Sequence, residues 1–270
     1  MPPVLHPAPG FSPGFVADRL DEALSLRGRV PVYGVAGLPG TGKSTLAAQM
    51  VRLADARGID ALALSIDDFY LGRGARRGLA RRVHPLLARR GPPGTHDLPL
   101  ALATLDALRR GDAVALPRFD KLADTRRPPS RWIQPARLPQ LLVFEGWFLK
   151  TPPESDAALR APINALEREH DADGRWRQWC NSALGDYAPL WQRLDWLTWL
   201  QPPGFETVPG WRWQQERRMQ SQRPGHAAMS RAQVGDFLQG FERVGRQALR
   251  TLPALADRVV ALDARRRPIS

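Results

Sequence analysis

The eight residues Gly37-Leu38-Pro39-Gly40-Thr41-Gly42-Lys43-Ser44 constrain this chain more than any other stretch of it. They fit G-x-x-x-x-G-K-[ST], and each residue type in that pattern has a physical reason. Glycines let successive backbone N–H groups curl around an anion, and the helix that follows points its positive end at the same place. The lysine adds a mobile cation, and the serine hydroxyl is a ligand for Mg²⁺. The motif needs a strand before it and a helix after it. Pro31-Val32-Tyr33-Gly34-Val35-Ala36 is a short apolar run, and Ser44 to Ala56 carries apolar residues at Leu46, Met50, Leu53 and Ala54. Strand, Gly-rich turn and helix are therefore expected in that order, with Thr45 completing the phosphate-binding set.

Further apolar runs repeat the theme. Ala61 to Ile66 stops at Asp67-Asp68, Leu141 to Phe144 stops at Glu145-Gly146, and Trp196 to Leu200 and Arg258 to Leu262 are two more strand candidates. Strands this apolar, separated by helical stretches, predict an α/β fold of the P-loop NTPase type: a parallel sheet with helices on both faces and an inserted helical region, to which the resemblance given below adds a lid. Such sheets carry function at the carboxyl ends of their strands, where Asp67, Asp68 and Glu145 fall. The expected division is a Pro-rich tail and helix over 1–28 and a main domain over 29–270, with an acceptor-binding segment at about 67–135 and a helical insertion and lid at about 151–229. Seven of the nine tryptophans lie between Trp176 and Trp213 and are read as packing of that insertion. Ser230-Arg231-Ala232-Gln233 has the form of a capping box, followed by an apolar face of Val234, Phe237, Leu238, Phe241 and Val244, which predicts a structural helix.

Composition narrows the class. A 43% hydrophobic content over 270 residues is ample for a buried core. No apolar run approaches the roughly 20 residues that cross a bilayer, and the stretch Leu141 to Leu149 is broken by Glu145 and Gly146. Met1 to Gly14 reads as a loose tail without the basic start and apolar stretch of a signal peptide. The single cysteine, Cys180, cannot make an internal disulfide, and no Cys/His cluster has zinc-site spacing, so a cytoplasmic protein is expected. The net charge of +12 invites a nucleic-acid reading, but only Lys43, Lys121 and Lys150 of the 39 basic residues are lysines and the arginines are scattered. No nucleic-acid or membrane partner is expected, and oligomeric state is left open.

The strand-end acids suggest phosphoryl transfer. Glu145 suits a Mg²⁺ ligand, directly or through water, and one of Asp67 and Asp68 suits the group that accepts a hydroxyl proton and aligns the oxygen for in-line attack. Successive side chains on a strand face opposite ways, so only one of the pair is expected to take that role. A guanine-binding switch would carry Asn-Lys-x-Asp and a transporter ATPase Leu-Ser-Gly-Gly-Gln; neither occurs.

At this point the sequence resembles a known family. The phosphate loop, Ser65-Ile66-Asp67-Asp68-Phe69-Tyr70-Leu71, Gly94-Thr95-His96-Asp97-Leu98-Pro99-Leu100, Pro117-Arg118-Phe119-Asp120-Lys121, Phe144-Glu145-Gly146-Trp147 and Trp211-Arg212-Trp213-Gln214-Gln215-Glu216 are similar to plant-type D-glycerate 3-kinase and its microbial kinase-like relatives. Phosphoribulokinase, uridine kinase and bacterial pantothenate kinase are more distantly similar. The resemblance implies an ATP- and Mg²⁺-dependent kinase for a small alcohol, with Asp67 as base and within the metal set beside Ser44 and Glu145. It also implies a lid around Arg212 that brings arginine to the phosphates, a place for which Arg212, Arg217 and Arg218 all qualify. The acceptor it implies is D-glycerate, handled by Asp68, Tyr70, His96, Asp97, Arg118 and Lys121. Arg118 and Lys121 would supply cations for the carboxylate, and His96 and Asp97 polar groups for the second hydroxyl. The alternatives are a kinase for a nucleoside, pantothenate or a sugar phosphate, and a nucleic-acid-associated P-loop ATPase.

Overall fold

A computed structural model covers residues 10–121, 123–222 and 229–269, the residues described below. In sequence order they form helix α1 (Pro13–Leu24), strand β1 (Val32–Gly37), α2 (Lys43–Ala56), β2 (Ala61–Ser65), α3 (Arg73–Arg82), α4 (Leu98–Arg110), a short antiparallel pair β3 (Phe119–Asp120) and β4 (Thr125–Arg126), and β5 (Leu141–Gly146). After β5 come α5 (Asp156–Leu159), α6 (Ala165–His170), α7 (Arg175–Asp186), α8 (Ala188–Trp191), β6 (Trp196–Gln201), α9 (Val208–Gln222), α10 (Arg231–Leu255) and β7 (Arg258–Ala261).

The five long strands make one sheet in the order β2-β5-β1-β6-β7, with every neighbouring pair parallel. Each expected strand is present, because each apolar run is bounded by polar or glycine residues that end the ladder. Burial on both faces explains why the runs are continuous rather than alternating. Along β1, Val32 and Ala36 face a core built with α4, α8 and α10, whereas Tyr33 and Val35 face one built with α1 and α2. The register sets Val35 and Ser65 on either side of Glu145, so the loops after β1, β2 and β5 leave the sheet at one level. That shared exit is what gathers the site.

The expected loose tail differs from what is found. Met1 to Pro9 lie outside the described residues, but Phe11 is buried against α2, its backbone N–H donating to Gln49 Oε1 at 3.0 Å and its carbonyl accepting from Gln49 Nε2 at 2.9 Å. Ser12 then caps α1 and Pro13 opens it, while Val16, Leu20 and Ala23 join the core under β1. Hydrophobic anchors at helical spacing outweigh the prolines around them.

The insertion after β5 is a set of short helices held to α10 by buried ion pairs. Arg243 donates to Glu167 Oε2 at 2.7 Å, to Glu154 Oε2 at 3.1 Å and to the carbonyls of Ala158 and Ala161. Four of the seven clustered tryptophans, Trp176, Trp191, Trp199 and Trp211, are buried, in line with a packing role. The capping box at Ser230 and Gln233 is formed as expected. The part of the expected lid at 223–228 lies outside the described residues. Among the described residues no helix is long and apolar enough to cross a membrane.

Candidate active site

The phosphate loop leaves β1 and turns into α2. Gly40 (φ 89°) and Gly42 (φ 98°) both adopt the left-handed region, and a Cβ on Gly40 would lie 2.6 Å from Trp211 Cβ, so only glycine allows α9 to sit on the loop. Gly42 is the N-cap of α2 and offers no side chain, which leaves first-turn N–H groups for a ligand. Ser44 Oγ donates to Glu145 Oε1 at 2.7 Å, and Lys43 Nζ stands 3.8 Å from Glu145 Oε2. That second carboxylate oxygen is buried and accepts no hydrogen bond from the described residues. A hydroxyl and a carboxylate with one orphaned buried oxygen are the hard oxygen donors that Mg²⁺ prefers, so Ser44 and Glu145 fit that ion.

Asp67 and Asp68 do not end a strand. The strand β2 stops at Ser65, whose hydroxyl accepts the Asp67 N–H at 3.2 Å and starts a 3₁₀ turn, Ile66–Phe69. The two acids still diverge, by the turn geometry and not by strand alternation. Asp67 meets Lys121 Nζ at 2.7 Å, while Asp68 accepts from Arg118 Nη1 at 2.5 Å and from the Phe119 N–H at 3.2 Å. Burial alone would raise the Asp67 carboxyl, but Lys121 and Lys43 hold it well below the usual carboxylate range. Burial raises Asp68 despite its Arg118 partner. Burial and the neighbouring Asp67 charge push the Tyr70 phenol far up, so it stays a neutral donor.

The expected acceptor residues separate into two groups. Tyr70 and Lys121 line the cleft with Asp67. Asp68, His96, Asp97 and Arg118 do not bound it: Asp68, Asp97 and Arg118 are paired with one another or with neighbouring groups, and His96 is buried behind Tyr70. Asp97 is the N-cap of α4, accepting from the Leu100 N–H at 3.2 Å, and it also accepts from Arg126 at 2.8 Å. His96 stacks on Tyr70 with ring centroids 4.3 Å apart, and its Nδ1 lies 2.7 Å from Tyr187 Oη. Tyr187 Oη also accepts from the Gly94 N–H at 2.8 Å, and His96 Nε2 has no partner among the described residues. Burial pushes the imidazole down to about 3, so it is neutral.

The cleft has a volume of about 260 Å³. Its wall brings together Pro39 to Thr45, Asp67, Tyr70, Lys121, Arg212 and Arg218, all anticipated from the sequence, and it adds Phe11, Arg90, Trp147, Gln215, Phe237, Phe241, Arg265 and Arg266. Gly37 and Leu38 lie behind the loop and do not bound it. Arg212 is tied to Glu216 at 3.0 Å. Phe237 and Phe241 belong to the helix expected to be purely structural; their i, i+4 spacing marks a buried face but not which part of that face meets a cavity. Arg90 had a signal in its place, directly before the Gly-Pro-Pro-Gly-Thr-His-Asp turn. Arg265 and Arg266, after β7, had none.

Comparison with known proteins follows the same lines. Over 231 residues the chain is 30% identical to a kinase of Schizosaccharomyces pombe described as uncharacterized kinase mug58, covering 82% of each. It is 29% identical over 252 residues to the chloroplastic D-glycerate 3-kinase of Arabidopsis thaliana, covering 86% of this chain and 52% of that protein, so it matches about half the plant protein's length. The solved structure of D-glycerate 3-kinase from Cryptococcus neoformans superposes with a TM-score of 0.74 at 25% identity, covering 95% of this chain and 96% of that one. No family model matches the chain. Agreement over most of both lengths with the fission-yeast kinase, and a shared fold along nearly all of the fungal enzyme, show that the chain belongs to the P-loop kinases of the D-glycerate 3-kinase group.

Proposed function

We propose that this kinase transfers the γ-phosphoryl group of ATP to the terminal hydroxyl of D-glycerate, giving 3-phosphoglycerate and ADP. The observation that carries the reading is that Asp67, held ionised by Lys121 and Lys43, lines the same cleft as the phosphate loop. The loop N–H groups and Lys43 hold the β- and γ-phosphates, and Arg212 on α9 faces them from the other wall. Ser44 and Glu145 would hold Mg²⁺, with Asp67 as a further acid in the set, and an ion bound there would offset charge on the phosphates. The acceptor hydroxyl oxygen forms a bond to the γ-phosphorus while the bond from that phosphorus to the bridging oxygen breaks. ADP leaves with that electron pair, and the hydroxyl proton passes to Asp67 and then to solvent. Closure of the cleft keeps water from taking the phosphoryl group. The lone buried thiol of Cys180 supports a reducing compartment, which we take to be the cytoplasm.

A nucleoside acceptor is the second reading, favoured by the rings of Trp147, Phe237 and Phe241 on the wall. Incubation with ATP, Mg²⁺ and a panel of D-glycerate, other hydroxy acids, uridine, pantothenate and ribulose 5-phosphate, followed by identification of the product, separates them. D-glycerate is expected to react fastest; inert D-glycerate beside reactive uridine or pantothenate would sink the acceptor and leave the kinase.

A further inference from the structure

The charge on the cleft wall is lopsided. Seven of its charged side chains are cationic, and one, Asp67, is acidic. ATP carries about four negative charges and Mg²⁺ returns two, and Glu145, Glu216 and Asp124 stand behind Lys43, Arg212 and Arg90, which leaves a small positive excess that suits an anionic acceptor. Arg118 was the expected partner for that anion, but it is committed to Asp68 and lies off the wall.

Arg90 is placed to take that role. Its side chain is 20% exposed and opens on the cleft, and its guanidinium stands 5.6 Å over the Phe119 ring. Nη1 donates to Asp124 Oδ1, and no other hydrogen bond of Arg90 is formed among the described residues, so the Nη2 and Nε edge is available. Asp124 does not neutralise it fully, because Arg76, wholly buried, donates to the same carboxylate at 2.5 Å and to the Asp124 carbonyl at 3.0 Å. Two guanidinium groups thus share one acid, and only Arg90 reaches the cavity. Its field falls on Tyr70, Lys121 and Arg212, the groups around Asp67. The next residue, Gly91 (φ 125°), is pressed so closely to the Phe241 ring that a Cβ would collide with it, so the backbone that carries Arg90 is seated against the aromatic part of the wall.

We infer that Arg90 is the carboxylate anchor of the acceptor site, gripping a short hydroxy acid by its acid end so that its far hydroxyl meets Asp67. The inference rests on the kinase reading above and deepens it by naming the residue that selects an acid over a neutral alcohol. A charge-assisted, two-point bond to a carboxylate suits a guanidinium whose orientation is already fixed by Asp124 and Phe119.

The test compares D-glycerate with glycerol, which keeps the reacting hydroxyl and lacks the carboxylate. For the full-length wild-type protein, the higher kcat/KM is expected with D-glycerate. Arg90→Met is expected to lower the D-glycerate to glycerol ratio of kcat/KM by about ten- to hundredfold, with the KM for D-glycerate rising more than the KM for ATP. Arg90→Lys, which keeps the charge without the fork, should fall between the two. Titration calorimetry of D-glycerate into the ADP complex gives a second readout that needs no turnover, and Arg90→Met should weaken that binding. If both acceptors fall together in Arg90→Met, the residue only supports the fold and the inference is overturned; an unchanged ratio overturns it equally. If D-glycerate reacts but its ratio ignores Arg90, the inference alone fails. If the wild type phosphorylates only an uncharged alcohol, the acceptor reading and the inference fail together. If another carboxylate such as pantothenate is the substrate, D-glycerate is wrong, and Arg90 stands only if its loss weakens that acid relative to its amide.

Discussion

The two walls of the cleft are built on different principles. On the phosphate wall the ligand groups are backbone N–H donors and the side chains of Lys43 and Ser44, all within one turn, joined to the end of β5 by a single bond to Glu145. On the opposite side the side chains in the wall and directly behind it are held by partners far away in sequence: Asp67, in the wall, by Lys121, 54 residues on, and behind it Asp68 by Arg118, 50 residues on, and Arg76 by Asp124, 48 residues on. A phosphate can be recognised by local backbone geometry, whereas a small acceptor needs several side chains aimed at one point, which only loops from different strands supply. Nor are these long-range pairs equally firm. Lys121–Asp67 is largely exposed on the lysine side (57%), a type of pair worth about 0–1 kcal/mol, and so it can exchange partners when ligands enter. Arg76–Asp124, with Arg76 at 0% exposure, is of the buried type whose disruption costs about 3–5 kcal/mol, and so it stays.

The largest test of this contrast is Asp67→Asn. It should cut kcat by about 10²–10⁴ while nucleotide binding persists, with Asp68→Asn far milder, since Asp68 is absorbed in positioning Arg118 and Phe119. A reversed ranking in steady-state kinetics would move the base to Asp68. Lys43→Ala comes next, with an expected loss of about 10²–10³ in kcat and a melting temperature close to that of the wild type; near-normal turnover in a folded variant would remove the phosphate loop from the reaction. Lys121→Met should have a smaller effect on rate but a diagnostic one on pH. Lys121 helps to hold the Asp67 carboxyl low, so its loss should move the acid limb of the kcat/KM profile to higher pH. An unmoved limb would mean that the pair does not survive in the complex.

The smallest effect is on stability. His96 is pushed down to about 3 by burial, against an ordinary value of 6.5. Below pH 6.5 the unfolded chain takes up a proton that the folded protein refuses, so stability falls as pH drops from 6.5 towards 3, by at most about 1.4 kcal/mol per pH unit from this group. His96→Phe should flatten the melting temperature against pH over that window; an unchanged slope would show that His96 is already protonated in the fold.

What was legible in the sequence follows the same division. Apolar runs bounded by polar residues revealed all five strands of the parallel sheet, though not the short β3–β4 pair, and the Ser230–Gln233 box marked the start of α10, because those signals act between neighbours in the sequence. Asp67 and Asp68 were expected to end a strand, but they lie on a turn that depends on the Ser65 hydroxyl, a local capping bond that competes with continuation of the strand. The roles of Asp97 and Arg118 could not be read in advance, since a carboxylate that caps a helix and one that meets a ligand carry the same letter. Phe11 illustrates the same point for packing: only the fold brings it to Gln49.

Of the 39 basic residues only three are lysines, and two of these, Lys43 and Lys121, face the cleft. Arg76, Arg177 and Arg243 each fork over several oxygens at once in fixed interior positions, a task that suits a planar guanidinium and not an ammonium. Lysine is left for the places where a charge has to change partners. A reagent that acylates side-chain amines therefore has only Lys150 as a target away from the catalytic cavity, and the mass added to the protein becomes a direct count of empty sites, falling as nucleotide covers Lys43.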